Sequence, residues 1–405
     1  MSIIYGDGVH CDSQAIQELL DSGTRCVYLP APKDCYVIDR PLIIHSNQEL
    51  RMDRYTVMKL APNSNCVMLT NANQDTQDEN ITINGGIWDM QNLQQRENPL
   101  NDGSYRATAI NCDYFHQSDC YSQEYQGVAI RFNHVKNFAI HDVTVRNPVT
   151  FGIELGNMFQ FTAQNITFDY STANPLFRAM DGLHIDGGCR CGYIANLKGT
   201  THDDLLALNA DDFLSGPISD IAVDGLYCDR SFSAVRILSC VSPVRNISIS
   251  NVFGTVYHNA LTISKYYRTP PEAVGDVDNV VLKNIYLSFT DKTIPHDYDD
   301  RFCLINVVGD DRMKSPIDIR VKNLCIDGLH REEYNRPLDT IKIWNRCVVD
   351  NLTVTNASVV NHTGLPMTFL TNYGTIGRLR LQNIDPGEDC LLDNHGEIAH
   401  IKEEE

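Results

Sequence analysis

The sequence has few basic residues, no long apolar run and only two tryptophans. Its 33 Lys and Arg residues against 52 Asp and Glu residues give a formal net charge of −19. The chain therefore lacks the basic surface with which proteins bind nucleic acids or anionic membranes. No segment approaches the roughly 18 consecutive apolar residues of a membrane-spanning helix. We expect neither a nucleic-acid nor a membrane partner.

No targeting signal is recognised at the N terminus. The first residues turn polar within six positions, without the apolar core and small-residue cleavage site of a secretory leader. We therefore expect a cytoplasmic protein, or a secreted one if a leader was removed.

Motifs of structural zinc sites are also missing. The 14 cysteines include no CxxC pair, and the sequence contains no HExxH segment, so we predict neither a metal ion nor another cofactor. In a chain of this length without a leader, the cysteines are expected to be small buried side chains in a reducing compartment rather than disulfides.

One helix is predicted, close to the N terminus. Asp12 and Ser13 form a capping signal, an amphipathic stretch continues to about Ser22, and Gly23 ends it. After it, short β-branched segments alternate with turns, and no comparable helical periodicity appears. Residues 1–50 are therefore expected to form a helix-capped first coil of an all-β solenoid.

A short strand, an Asn or Asp, and a second short strand form a pattern that recurs along the chain. Intervals of 23, 33 and 39 residues between successive copies fit one solenoid coil plus insertions of different length. Polar segments at about 90–126, 171–179 and 266–302 are the long insertions, and loops of that size are often binding walls. We expect one domain over residues 1–405. The copies of the pattern begin at Asn80, Asn137, Gln160, Asn246, Asn279, Asp318 and Asn351.

Several of these asparagines begin N-x-S/T triplets, among them Asn80 and Asn246. Because they fall at the repeated turn position, we interpret them as structural residues whose buried amides satisfy backbone groups of the next coil. Glycosylation is the alternative interpretation.

Three carboxylates fall at one level of the predicted solenoid. The alternating apolar positions of segments 181–186 and 204–209 align when Asp181 and Asp204 share a column, 23 residues apart. Asp203 then lies beside them. Closely spaced carboxylates do not all ionise freely, so one tends to keep a proton while the others stay charged. Acid and base hydrolysis requires this division, whereas capping of turns is the alternative role for these acids.

Extending the same register to neighbouring strands adds further polar side chains beside the acids. We interpret His184 and Arg236 as substrate contacts, since a long guanidinium donor beside three carboxylates can hold a sugar hydroxyl or acid group. A solvated histidine and a surface ion pair are the alternatives. His202, Glu154 and Asn259 complete the outward-facing candidates for substrate binding. Asp186, Asp211 and Asp212 are assigned to turns.

The segments MDGLHID and HDDLLALN resemble, in this order and spacing, the NTDGIDI and GDDCIAIN blocks of family 28 glycoside hydrolases. This is the polygalacturonase family, whose members are right-handed parallel β-helices. The resemblance implies that Asp203 is the general acid that protonates the leaving glycosidic oxygen. It also implies that Asp181 and Asp204 are the bases that activate water on the opposite face, which gives inversion.

The sequence departs from that family where the family holds a uronate carboxylate. The histidine of the family's GHG block would fall at Ser233, and the Arg and Lys of its NGVRIK block at Thr262 and Ser264. These departures argue against polygalacturonate as the substrate. Lys265, Arg268 and Arg236 are the candidates to replace the missing cations.

We therefore predict a right-handed parallel β-helix that hydrolyses a glycosidic bond in an oligosaccharide or glycoside without a metal ion. A polysaccharide lyase or glycan epimerase is one alternative, which needs a base for the sugar C5 proton and often a cation. A non-catalytic glycan-binding β-helix is another, because one scaffold hosts several functions. A carbohydrate is the expected partner, and homo-oligomerisation is left open.

Overall fold

Short parallel strands dominate the computed structural model, which describes residues 2–96, 127–172, 179–212, 214–265, 272–291, 303–309 and 316–404. Each strand pairs in parallel with the strand one coil later in the chain. The predicted right-handed parallel β-helix is thus confirmed. The helical elements are α1 (Ser13–Leu20) and a short 3-10 helix (Asn92–Gln94). The strands are β1 (Cys26–Leu29), β2 (Tyr36–Ile38), β3 (Leu42–Ile44), β4 (Gln48–Met52), β5 (Val57–Leu60), β6 (Leu69–Asn71), β7 (Asp78–Asn84), β8 (Ile87–Asp89), β9 (Ile130–Asn133), β10 (Val135–His141), β11 (Thr144–Arg146), β12 (Ile153–Gly156), β13 (Phe159–Asp169), β14 (Leu183–Asp186), β15 (Arg190–Thr200), β16 (Asp204–Asn209), β17 (Ile218–Leu238), β18 (Val244–Ser264), β19 (Gly275–Phe289), β20 (Ile305–Val308), β21 (Ile319–Glu333), β22 (Ile341–Ile343), β23 (Cys347–Asn361), β24 (Thr368–Asn372), β25 (Thr375–Asp385), β26 (Cys390–Asn394) and β27 (Glu397–Glu404).

One face of the β-helix carries the predicted acids. It contains β12, β14, β16 and the last residues of β17 and β18, stacked in that order. Leu183 pairs with Leu206, and Leu206 pairs with Val235, as the alternation of apolar residues predicts. These side chains are fully or almost fully buried in the core between the faces, because period two sends them all to the same side of their strands.

The predicted N-terminal helix is confirmed, although it ends at Leu20 rather than near Ser22. Its side chains Ile16 and Leu20 are fully buried against the first coil. Asp12 occupies the N-cap position but makes no capping bond to the helix. Its carboxylate instead accepts a hydrogen bond from the backbone N–H of Tyr5, at 2.7 Å. No helix in the described part of the chain is long and apolar enough to cross a membrane.

Asparagines at the repeated turn form side-chain ladders from coil to coil, along the axis of the β-helix. Asn246 has a positive φ of 57°, a conformation that asparagine tolerates better than most residues. Its amide donates to the Asp220 carboxylate of the preceding coil at 2.8 Å, and the amide of Asn279 donates to Asn246 Oδ1 at 2.9 Å. The structural interpretation is supported, but its detail was wrong at Asn246 and Asn279. These amides are exposed and bond to side chains of the preceding coil rather than to backbone groups.

The cysteines in the described ranges are all free thiols, and Cys112 and Cys120 lie outside those ranges. Cys189 and Cys303 are buried, as predicted, whereas Cys191 and Cys390 are exposed. The predicted insertions at 90–126 and 171–179 fall largely outside the described residues. The predicted insertion at 266–302 was wrong in its middle part, because β19 (Gly275–Phe289) lies within it and pairs in parallel with β18 and β21. Their role as binding walls and the single-domain organisation stay predictions.

Candidate active site

Three carboxylates meet where the chain enters β14 and β16. Asp181 lies two residues before Leu183, and Asp204 is the first residue of β16. The N–H of Gly182 donates to the Asp204 carbonyl at 2.8 Å, and the N–H of Asp204 donates to Asp181 Oδ1 at 3.1 Å. One oxygen each from Asp181, Asp203 and Asp204 lies within 4.8 Å of the others. The column predicted from the alternation of the sequence therefore gathers these acids in space.

The three carboxylates have different partners. Asp181 Oδ2 lies 2.7 Å from Nδ1 of His184, and Asp204 Oδ2 lies 3.3 Å from Nε of Arg236. Asp203 is half-buried and accepts the backbone N–H of Ala179 at 2.9 Å. Asp181 and Asp204 therefore each lie against a cationic side chain, while the hydrogen bond found at Asp203 comes from a neutral group.

This difference separates the pKa values of the acids. Burial and the charge of Asp204 raise the pKa of Asp203 to about 7. Burial also raises the pKa of Asp181 and of Asp204 to about 6, but His184 opposes the rise at Asp181 and Arg236 opposes it at Asp204. Near neutral pH, a proton shared by the group is held best by Asp203. The site thus offers one acid and two ionised bases.

His184 lies below the surface, whereas the sequence predicted a substrate contact, with a solvated histidine as the alternative. Its side chain is fully buried, and the ring stacks on Phe151 with 4.0 Å between ring centroids and 10° between planes. Nε2 lies 3.3 Å from Asp186 Oδ1 and 3.9 Å from Asp212 Oδ2. Both ring nitrogens therefore face protein carboxylates, and the described structure gives His184 no open face for a sugar.

The assignment of three further aspartates to turns holds for one of them and in part for a second. Asp211 Oδ2 accepts the backbone N–H groups of Cys240 and Val241, at 2.8 Å each, and so caps a turn. Asp186 is fully buried against His184, and its assignment to a turn was wrong. Asp212 has both roles, because its Oδ2 accepts the Asn209 amide within the turn at 3.1 Å and also lies near His184.

Arg236 and His202 are the partly exposed members of the predicted substrate-binding set. The Arg236 side chain retains 15% of its exposure while it pairs with Asp204, so the ion pair and a substrate contact are compatible. His202 is half-buried, and its Nε2 lies 3.0 Å from the Tyr170 carbonyl. Substrate contact by these two residues stays a prediction.

The remaining three predicted contacts are buried in the protein. Glu154 is fully buried and pairs with Arg131 at 3.0 Å. The Asn259 amide donates to the Cys303 carbonyl at 2.5 Å, and Nζ of Lys265 donates to a backbone carbonyl. Glu154 and Asn259 point away from the core, as predicted, but other segments of the same chain cover that side of their strands. These side chains therefore support the site from within rather than lining its surface.

The sequence interpretation missed two groups that shape the site. The N–H of Ala179 reaches Asp203 from a segment whose conformation no pattern indicated. Asp186, by contrast, could have been found, because it follows His184 by two residues in β14 and must share its side of the strand.

Comparisons with known proteins identify the fold. The sequence matches no protein-family model and no curated protein. The structure of PfbA, a surface adhesin of Streptococcus pneumoniae, matches with a TM-score of 0.57 and 14% identity over 98% of this chain and 90% of that one. An endo-xylogalacturonan hydrolase from Aspergillus tubingensis matches with a TM-score of 0.58 and 12% identity over 98% of both chains. A family 28 exopolygalacturonase from Yersinia enterocolitica matches with a TM-score of 0.52 and 13% identity over 99% of this chain and 76% of that one. Since identities this low establish the fold alone, the chain is a right-handed parallel β-helix protein whose structure resembles those of family 28 polygalacturonases.

Proposed function

We propose that the protein is a glycoside hydrolase, with Asp203 as general acid and Asp181 and Asp204 as bases. The observation that carries this proposal is the group of three carboxylates within 4.8 Å of one another, two of them against cationic side chains and one not. Hydrolysis of a glycosidic bond needs this combination of a protonated acid and an ionised base. The resemblance of the two sequence blocks to family 28 supports the same assignment.

In the proposed reaction, the Asp203 carboxyl group gives its proton to the glycosidic oxygen as the bond from that oxygen to the anomeric carbon breaks. A water molecule attacks the anomeric carbon and loses a proton to Asp181 or Asp204. The products are a reducing sugar and the released alcohol or saccharide. One proton enters the leaving group and one leaves the water, so the site needs only a proton exchange with solvent to start again.

The stereochemistry requires its own test, because the carboxylates are close together. Inverting enzymes usually separate the two carboxyl groups by about 6.5–9.5 Å and retaining enzymes by about 5–5.5 Å, whereas the nearest oxygens here lie within 4.8 Å. Inversion follows from the family resemblance, and the distance rule favours retention. We propose inversion, and the anomer formed before mutarotation, followed by NMR, decides.

The substrate is proposed to be an oligosaccharide or glycoside other than polygalacturonate. The positions that correspond to the family's uronate-binding cations hold small, buried side chains, since Ser233, Thr262 and Ser264 are exposed by 1%, 2% and 3%. The Thr262 hydroxyl is also occupied, because it donates to Asn259 Oδ1 at 2.6 Å. Lys265 is buried as well, and Arg268 lies outside the described residues, so Arg236 is the replacement that we propose.

The test is a screen of the wild type and Asp203→Asn against neutral and acidic oligosaccharides and aryl glycosides. We expect the wild type to release a sugar, and the variant to lose at least roughly a hundredfold in rate, as removal of a general acid should. Asp220→Asn, on another face of the β-helix, is the matched control and should retain full activity.

Other outcomes identify the rival functions. An unsaturated product that absorbs in the ultraviolet, or loss of activity with a chelator, would indicate a lyase or epimerase instead. Binding of a glycan by both proteins without turnover would indicate a non-catalytic binding module.

A further inference from the structure

The buried part of the site lies directly beneath the catalytic candidates. His184 and Asp186 project to the same side of β14 because they are two residues apart. The histidine ring lies between Asp181 and Asp186, at 2.7 Å and 3.3 Å. Phe151 stacks on the ring and fixes its plane. The imidazole thus has one orientation, in which it joins a carboxylate of the acid group, Asp181, to the fully buried Asp186.

The partners of His184 determine its protonation state. Ionised carboxylates only accept hydrogen bonds, and a neutral imidazole has a single N–H. Contacts from both ring nitrogens to carboxylates therefore favour the imidazolium form, which has two N–H groups. Burial lowers the pKa of His184, but the charges and hydrogen bonds of Asp186 and Asp181 raise it well above its ordinary value.

We propose that His184 is a positioning residue that, as a buried imidazolium held by Asp186, keeps Asp181 ionised and oriented as the base that activates water. This inference rests on the proposed hydrolase function. Asp181 Oδ2 is fixed by the histidine, and Oδ1 accepts the Asp204 N–H at 3.1 Å. The carboxylate cannot rotate without losing both bonds, while each oxygen keeps a second lone pair for a water molecule.

Asp204 is less suited to the same role. Its contact with Arg236 is longer, at 3.3 Å, and the guanidinium retains some exposure through which it can turn toward a substrate. We therefore assign water activation to Asp181 and electrostatic support of the acid to Asp204.

Several charged groups surround the histidine from neighbouring strands, and all of them contribute to its environment. The negative groups are Asp181 just before β14, Asp186 on β14, Glu154 on β12, Asp203 just before β16, Asp204 on β16 and Asp212 after β16. The positive groups are Arg131 on β9, which pairs with Glu154, and Arg236 on β17, which pairs with Asp204. Negative groups outnumber positive ones, which favours a charged His184.

Kinetics with His184→Asn test the role in the reaction. Loss of the cation raises the pKa of Asp181, so the acidic limb of the pH profile of kcat/KM should move to higher pH. We expect kcat to fall by roughly 10–100-fold, as for other residues that orient a catalytic group, with little change in KM. Asp186→Asn keeps a hydrogen-bond acceptor for the ring, so its kcat should lie between those of His184→Asn and the wild type. His141→Asn is the matched control, because His141 lies 2.9 Å from Asp142 on another face.

NMR of the histidine nitrogens tests the same inference without a substrate. In the wild type, both nitrogens of His184 should stay protonated from pH 5 to 8. A ring that loses a proton with an ordinary pKa near 6.5 would overturn the proposal, even if the protein is an active hydrolase.

The two methods separate the two claims. If no glycoside is cleaved, the hydrolase function fails, but the carboxyl signal of Asp181 still reports its pKa. A higher Asp181 pKa in His184→Asn, with no change in His141→Asn, would then support the pairing of His184 with Asp181. A loss of activity in His184→Asn that leaves the pH profile and the Asp181 pKa unchanged would reduce His184 to a structural residue.

Discussion

Replacing Asp203 by Asn is expected to stabilise the protein while it removes catalysis. In the wild type, the Ala179 N–H donates to Asp203 Oδ2 at 2.9 Å. The Asn side chain keeps an oxygen that can accept this hydrogen bond, but it cannot donate a proton as an acid. Because Asp203 lies among other carboxylates, its own negative charge is unfavourable in the folded protein. Asn removes that charge and should relieve the repulsion.

The pKa of Asp203 sets the upper limit of this effect. Burial and the Asp204 charge raise it from 3.8 to about 7, and a rise of about three pKa units corresponds to about 4 kcal/mol. Since the residue is only half-buried, solvent screens part of the repulsion, and we expect a gain on the order of 1–3 kcal/mol at pH 7.5.

The pH dependence gives this gain a distinctive sign. The pKa is higher in the folded than in the unfolded chain, so the folded wild type binds more protons between about pH 4 and 7. Wild-type stability should therefore fall as pH rises through that window. The advantage of Asp203→Asn should vanish near pH 4 and be greatest above pH 7.

Thermal unfolding of both proteins at pH 4 and pH 7.5 measures the difference. Asp220→Asn is the control with the opposite sign, because hydrogen bonds from Asn246 and Ser219 lower the pKa of Asp220. A variant Asp203→Asn that is no more stable than the wild type at pH 7.5, or one whose advantage persists at pH 4, would refute the electrostatic account of the site.

Three further outcomes are expected. If Asp203 is the acid and Asp181 the base, kcat/KM should be bell-shaped with its maximum between their pKa values of about 6 and about 7. A flat profile from pH 5 to 8 would contradict those roles. Arg236→Ala removes the cation 3.3 Å from Asp204, so the pKa of Asp204 should rise in a carboxyl NMR titration and activity should fall at least roughly tenfold. Arg236→Lys keeps a positive charge and should show smaller changes in both quantities. An unchanged Asp204 titration in Arg236→Ala would exclude the ion pair. Asn246→Ala breaks two ladder hydrogen bonds at a positive φ, so the free energy of unfolding measured by chemical denaturation should fall by about 1–2 kcal/mol without change in activity. A loss of activity at native stability would show that the ladder affects the site.

The sequence predicted the register of the site-bearing face because that register depends on a local rule. Alternating apolar residues must all enter the core, and this requirement alone aligned Leu183 with Leu206 and placed Asp181 beside Asp204. The turn asparagines and the N-terminal helix were recognisable for the same reason. Their signals lie within a few residues, and the repeat multiplies them along the chain.

The tertiary structure decided which outward side chains reach the surface. Period two shows that His184 and Glu154 leave the core side of their strands, but it does not show what covers them. Both are fully buried, because neighbouring coils bring Phe151 against His184 and Arg131 against Glu154. A charged or polar group covered in this way needs partners, and the pattern of one strand does not show the partners that other coils supply.

The division of labour among the acids depends on these distant contacts. The sequence alone determined that Asp181, Asp203 and Asp204 share one level of a parallel β-helix. Which of them keeps the proton follows from burial and the charge of Asp204 at Asp203, and from the contacts of His184 and Arg236 with the other two acids, which only the folded chain fixes. A pKa responds to burial and to charges within a few ångströms, and spacing along a sequence contains neither quantity.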